Sequence, residues 1–298
     1  MQLDKSKDHI KQTWRILNNV INRNKRKASI LKLHDNGQDI SNPEIIANKF
    51  CQYFTKIGAN LASKISPSSK SFREFVNSSS SEVMTKFAPV TPMELSSITN
   101  SFKDGKAPGA DNVPISVTKK SIDVISDPLL SLINLSLSSG TFPDKLKIAK
   151  ITPILKTGDA CLVQNYRPIS VLPAFSKIFE RVVYNLIFKF ITDNNILCSN
   201  QYGFRPGHST SHALISFVNK VSNAVDSNNY LGGVFLDLSK AFDTLDDAIL
   251  LQKLVIYGVT GVAHKWITDY FSNRKLFVLF ISIYICGLIK HKYKYKYW

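Results

Sequence analysis

A carboxylate that closes an apolar run is where this sequence most invites chemistry. Asp237 follows Val234-Phe235-Leu236, which itself follows Gly232-Gly233. A short apolar run bounded by turn residues reads as a buried strand, with Asp237 at its far end. An ionised carboxylate there needs a partner. A hard divalent cation such as Mg²⁺ suits one or two carboxylates combined with phosphate oxygens. Asp is also a preferred helix N-cap, and Ser239-Lys240-Ala241-Phe242 can open a helix just beyond it. The stretch by itself leaves metal ligation and capping both open.

Cations supply the second chemical theme. Residues 149–155 read as a strand ending at Lys156, and Thr157-Gly158-Asp159 turns the chain back toward Tyr166-Arg167-Pro168-Ile169-Ser170. The resulting hairpin carries Lys156 and Arg167 close together. Two like charges on neighbouring strands repel, which makes sense where an anion lies between them, since arginine grips phosphate bidentately and lysine acts as a point charge. Independent solvated cations are the plain alternative. The loop Lys103-Asp104-Gly105-Lys106-Ala107-Pro108-Gly109-Ala110-Asp111 has the make-up of a phosphate-backbone contact and equally of a surface turn. His208 and His212 are spaced like a metal pair on a helix, but no third ligand of suitable type is near them in sequence, and Ser209 reads as an N-cap. Cys51, Cys161, Cys198 and Cys286 form no C-x-x-C pair, so sequence spacing signals neither zinc nor disulfides, and a reducing, intracellular setting is expected.

Helices must position these groups. Residues 5–33 are basic with a helical pattern at Ile10, Trp14, Leu17 and Ile21, broken by Arg23-Asn24-Lys25-Arg26-Lys27. Ser41 and Glu44 have capping-box spacing before a helix whose inward face is Ile46, Phe50, Tyr53, Ile57 and Leu61. Ser-rich residues 66–90 read as a linker. Thr91-Pro92-Met93-Glu94 opens the next helix. The apolar run 128–137 predicts a buried helix stopped at Gly140, the run from Ser176 to Ile191 another, and Ala213, Leu214, Phe217, Val221 and Ala224 one face of a third.

Composition narrows the function class. Of 298 residues, 44% are hydrophobic and 20% charged, enough for a packed core. The formal charge of +16 points to a polyanion or an anionic surface, and the interleaved aromatics favour nucleic acid. The polar start Met1-Gln2-Leu3-Asp4-Lys5 excludes a secretory signal peptide, so the chain is not expected to be secreted. Residues 276–289 are apolar but too short for a stable membrane span.

Taken in order, four segments resemble the reverse transcriptase of non-LTR, LINE-type retrotransposons, in particular the jockey-like kind. They are Lys106-Ala107-Pro108-Gly109-Ala110-Asp111, Tyr166-Arg167-Pro168-Ile169-Ser170, Gln201-Tyr202-Gly203-Phe204-Arg205 and Phe235-Leu236-Asp237-Leu238-Ser239-Lys240-Ala241-Phe242-Asp243. Residues 8–64 resemble the helical region such proteins carry between endonuclease and polymerase. The resemblance implies an α+β, right-hand polymerase fold: a helical N-terminal extension (1–65), the linker (66–90), a fingers-like part (91–230), and the start of an incomplete antiparallel palm sheet (231–275).

The resemblance also implies roles. Asp237, with the Leu238 carbonyl, would bind catalytic Mg²⁺. Lys156 and Arg167 would hold the incoming deoxynucleoside triphosphate, and Phe242 would exclude a ribose 2′-hydroxyl. Lys106, Gln201, Gly203 and Arg205 would contact nucleic acid, the partners being an RNA template and a DNA primer in the nucleus or cytoplasm. After Lys275 the family continues with a second strand pair bearing adjacent aspartates, then a thumb. Here residues 276–298 read instead as an unrelated apolar and Lys/Tyr-rich tail. The chain alone is therefore expected to be inactive, with a non-catalytic, basic nucleic-acid-binding role as the alternative.

Overall fold

A short hairpin, β1 (Leu33–Asp35) paired with β2 (Gln38–Ile40), leads into α1 (Pro43–Ala62). This computed structural model describes residues 32–278 apart from 36, 67, 77–81 and 239, together with Leu17 and the pair 289–290. The helix expected around Ile10, Trp14 and Ile21 lies outside the described residues. The Oδ1 of Asn42 accepts from the Glu44 and Ile45 amides at 2.8 and 3.3 Å, so the cap is Asn42 and not Ser41. Proline favours the first helical position, and Pro43 there makes its predecessor the cap.

The remaining elements are α2 (Pro92–Ser101), α3 (Ile115–Lys120), α4 (Ile122–Ser139), β3 (Ile148–Leu155), β4 (Tyr166–Val171), α5 (Ala174–Asp193), α6 (Thr210–Asp226), α7 (Asp247–Ile256), α8 (Gly261–Phe271), β5 (Lys275–Val278) and β6 (Ile289–Lys290). The mixture is α+β. The sheet order is β4-β3-β5-β6, with β3 parallel to β5 and its other neighbour antiparallel. Register and alternation put Ala149, Ile151, Tyr166, Leu276 and Val278 on one face, and all five are buried there with Ile46, Ala47, Phe50, Cys51 and Phe54 of α1. The Phe50 ring meets Tyr166 edge-on at 4.9 Å. Each Ile, Leu, Val and Phe side chain in this core contributes roughly 1.5–3 kcal/mol on burial.

A second core joins α2, α4, α5 and α8 around Phe142, which meets Phe179, Trp266 and Tyr270 edge-on. Thr91 and Glu94 form the expected capping box, and Gly140 ends α4 at φ +67°. Two cations, Lys147 and Arg274, are buried. Lys147 bonds Asp269 at 3.0 Å and Asp144 at 2.9 Å, and Lys147 holds the Asp144 carboxyl below its usual range. Arg274 lies 4.3 Å over the Tyr270 ring and 3.7 Å from Glu180, which accepts from the Tyr270 hydroxyl at 2.7 Å.

Three expectations change. The second half of the 66–90 linker is stitched into the core: Met84 exchanges backbone bonds with Gly258 and Thr260, and Phe87 and Val90 are buried. Gly258 (φ +90°) and Gly261 (φ +56°) permit this passage, since a Cβ would sit 2.5 Å from the Glu82 carbonyl oxygen and 2.6 Å from that of Thr85 respectively. The boundary expected after Lys275 falls inside β5, whose Leu276 and Val278 are core residues. Helix α6 forms, capped by Ser209, but none of its residues is buried, and Leu214 and Phe217 are 61% and 41% exposed. Among the described residues no helix is long and apolar enough to cross a membrane.

Candidate nucleic-acid interface and metal site

The uncovered face of the sheet gathers positive charge. The register Ile154↔Arg167 and the bond from the Lys156 amide to the Asn165 carbonyl (2.8 Å) put Lys156 and Arg167 on the same side of the hairpin, both exposed. By the same alternation Lys150 and Lys275 share that side, and no acidic residue lies in β3, β4 or β5. Asp144 stands close enough to feel Lys275. Among these cations lie Ile154 and Ile169, 50% and 43% exposed. Cations gathered on one exposed face suit the phosphate backbone of a nucleic acid.

Local chemistry explains the neighbouring loop. Gly109 is buried where a Cβ would sit 2.2 Å from the Pro173 nitrogen, so the 106–111 loop seats on the β4–α5 junction only because that residue lacks a side chain. Lys106 is exposed, and it acts on Lys177 in the first turn of α5. Burial pushes the Lys177 ammonium below the usual lysine range; Glu180 and Asp111 pull it back up, and Lys106 lowers it further.

The expected palm strand is the largest correction. Residues 229–238 form no regular structure; Val234, Phe235, Leu236 and Leu238 are 85, 83, 87 and 74% exposed, and Asp237 is exposed. Among the described residues this segment pairs with no strand of the sheet β4-β3-β5-β6, so its backbone gains no ladder. Among the described residues Asp237 makes no hydrogen bond or ion pair, and neither joins it to Lys106, Lys156 or Arg167. Nor is it a cap: Asp246 caps α7, accepting from Ala248 and Ile249 at 2.7 and 3.2 Å.

Other predicted residues do meet. Phe204 packs edge-on against Phe242 at 5.6 Å, linking the 201–205 turn to the segment after Asp237. In that turn Gln201 donates to the Gly203 carbonyl at 3.3 Å and Arg205 to the Cys198 carbonyl at 3.3 Å. A Cβ on Gly203 would meet open space, so packing among the described residues does not demand glycine there. The 240s rest on α1: Lys240 Nζ donates to the Tyr53 hydroxyl at 2.8 Å, and a Cβ on Gly58 would lie 2.1 Å from the Asp243 carbonyl oxygen.

Sequence reasoning missed Lys150, Lys177, Lys275, Tyr53 and Gly58. The even spacing of Lys150 and Lys156 on one strand was a usable signal. The others depend on tertiary packing.

Comparison with known proteins now bears on this arrangement. Residues 154–296 match the family described as reverse transcriptase (RNA-dependent DNA polymerase). That stretch belongs to the reverse transcriptase family. The matched span takes in β5 and runs past Leu276. A protein of Drosophila melanogaster described as a probable RNA-directed DNA polymerase from transposon BS is 33% identical over 189 residues, covering 61% of this chain and 21% of that protein. The RNA-directed DNA polymerase from mobile element jockey is 34% identical over 166 residues in Drosophila funebris, covering 55% of this chain and 18% of that one. Its Drosophila melanogaster counterpart is 35% identical over 149 residues, covering 50% and 16%. The reverse transcriptase segment is thus of the jockey-like, non-LTR retrotransposon type, and the chain spans about a fifth of the length of the curated relatives it matches.

Proposed function

We propose that residues 91–230 are the fingers part of a right-hand polymerase and that its palm opens at residue 231 and takes in β5, with the helical extension 1–65 before them. The lineage reaction is intracellular RNA-templated DNA synthesis from a DNA primer and deoxynucleoside triphosphates. The chain by itself binds nucleic acid and does not extend a primer. In this reading Lys156 and Arg167 grip the triphosphate, Phe242 stands at the sugar, and Lys106, Gln201, Gly203 and Arg205 line the template path.

The isolation of Asp237 carries the second half of the reading. The family uses divalent metal ions. A two-metal site needs several oxygen ligands converging on both ions. Asp237 and the Leu238 carbonyl stand exposed, and among the described residues the one trio of His, Cys or acidic groups close enough to share a metal lies elsewhere. The described residues therefore do not make the Mg²⁺ site that the family's chemistry requires.

Fluorescence anisotropy with a labelled single-stranded RNA tests the binding half. Affinity is expected to fall steeply with salt and to be the same in Mg²⁺ and in EDTA, and Asp237→Ala is expected to bind like the wild type. Binding that requires Mg²⁺ and Asp237 would overturn it.

A further inference from the structure

A second site lies away from the cationic face. His34 in β1 and Asp159 and Cys161 in the turn beyond Lys156 bring one ligand atom each to within 4.8 Å of one another. We propose that these three side chains bind a divalent metal of the zinc class, which clips the N-terminal hairpin to the turn of the β3–β4 hairpin. Sequence spacing hid this trio, because its members come from segments more than 120 residues apart.

Hydrogen bonds place the ligands without any ion. The His34 amide donates to the Cys161 carbonyl at 2.8 Å, joining the two segments. The Cys161 amide donates to Asp159 Oδ1 at 2.8 Å, so the carboxylate and the thiol are held side by side. The turn is anchored by Asn165 Nδ2 on the Asp159 carbonyl at 2.9 Å and by the Tyr166 hydroxyl on the Ala160 carbonyl at 2.7 Å, and Gly158 at φ +85° allows its backbone. Asp39 stands against Nδ1 of the His34 ring, a carboxylate able to fix the tautomer of a ligating histidine. Lys32 also rests on Asp39, which leaves Asp159 as the carboxylate ligand.

Ligand chemistry selects the ion. Thiolate, imidazole and carboxylate together suit zinc and cobalt, whereas Mg²⁺ takes oxygen ligands. Metal–ligand bonds of about 2.0–2.3 Å in a tetrahedron separate ligand atoms by roughly 3.3–3.8 Å, so shifts of about 1 Å close the site. His34 and Asp159 are exposed and Cys161 is half-buried, which gives an ion access and leaves the fourth position to water. The proposal does not depend on the polymerase reading.

Cobalt titration of the reduced full chain tests it. The wild type is expected to take up one Co²⁺ with a thiolate-to-cobalt charge-transfer band that Zn²⁺ abolishes by displacement. Cys161→Ser should lose that band, Cys198→Ser should keep it, and His34→Gln should weaken cobalt binding at least about tenfold. No band, or a band that survives Cys161→Ser, would overturn the proposal. Should Cys161→Ser fail to fold, the wild-type melting temperature decides. It is expected to rise with Zn²⁺ and not with Mg²⁺, and no response to Zn²⁺ would count against the site.

Discussion

Two stretches of similar apolar make-up end in opposite places. Ala149 and Ile151 of β3, and Leu276 and Val278 of β5, are at most 2% exposed, whereas Val234, Phe235 and Leu236 are more than 80% exposed. The first group has neighbouring strands and α1 laid across it; among the described residues the second pairs with no strand. A strand is thus made by its partner as much as by its own sequence. The exposed face of α6 fits the same pattern, since its Phe217, 41% exposed, makes a ring contact with the still more exposed Phe235, at 5.8 Å.

Paired substitutions put this contrast at risk. Phe50→Ala should cost about 3–5 kcal/mol by chemical denaturation, while Phe235→Ala should stay within about 0.5 kcal/mol. Equal costs would mean that residues 231–238 are buried after all. Glu180→Ala leaves the Arg274 guanidinium buried without its carboxylate and should cost about 3 kcal/mol by the same measurement. A loss under about 1 kcal/mol would show that water reaches Arg274. Gly109→Ala forces a Cβ against the Leu172–Pro173 backbone and should cost about 1–3 kcal/mol, with Gly203→Ala as the neutral counterpart.

Smaller effects sharpen the picture of the cationic face and of the α1 support. Replacing Lys156 and Arg167 together by alanine should reduce the slope of log affinity against log salt by about two, with little change in stability. An unchanged slope would move the interface off this face. Tyr53→Phe removes the bond from Lys240 and should cost no more than about 1 kcal/mol. Its effect should be visible as faster proteolysis near Lys240, and protection equal to the wild type would show that α1 does not steady that segment.

The sequence was most legible where local chemistry decides the outcome. The Thr91–Glu94 box, the Gly140 stop, the Ser209 cap and the β3–β4 hairpin with Lys156 and Arg167 all follow from residues a few positions apart. The parallel pairing of β3 with β5, the burial of Lys147 and Arg274, and the threading of Met84 past Gly258 join residues more than 90 positions apart, and no periodicity reports them. The stretch before Asp237 misled for the opposite reason. Its pattern is that of a core strand, and the core it suits is not assembled among the described residues. The trio His34, Asp159 and Cys161 shows the same limit in a site, since ligands from two distant segments leave no spacing to read.

Primer extension on an RNA template, with Mg²⁺ and all four deoxynucleoside triphosphates, tests most directly whether Asp237 in this chain lacks the partners needed for catalysis. The predicted result is no incorporation above the background given by Asp237→Ala. Incorporation by the wild type that Asp237→Ala abolishes would contradict the account.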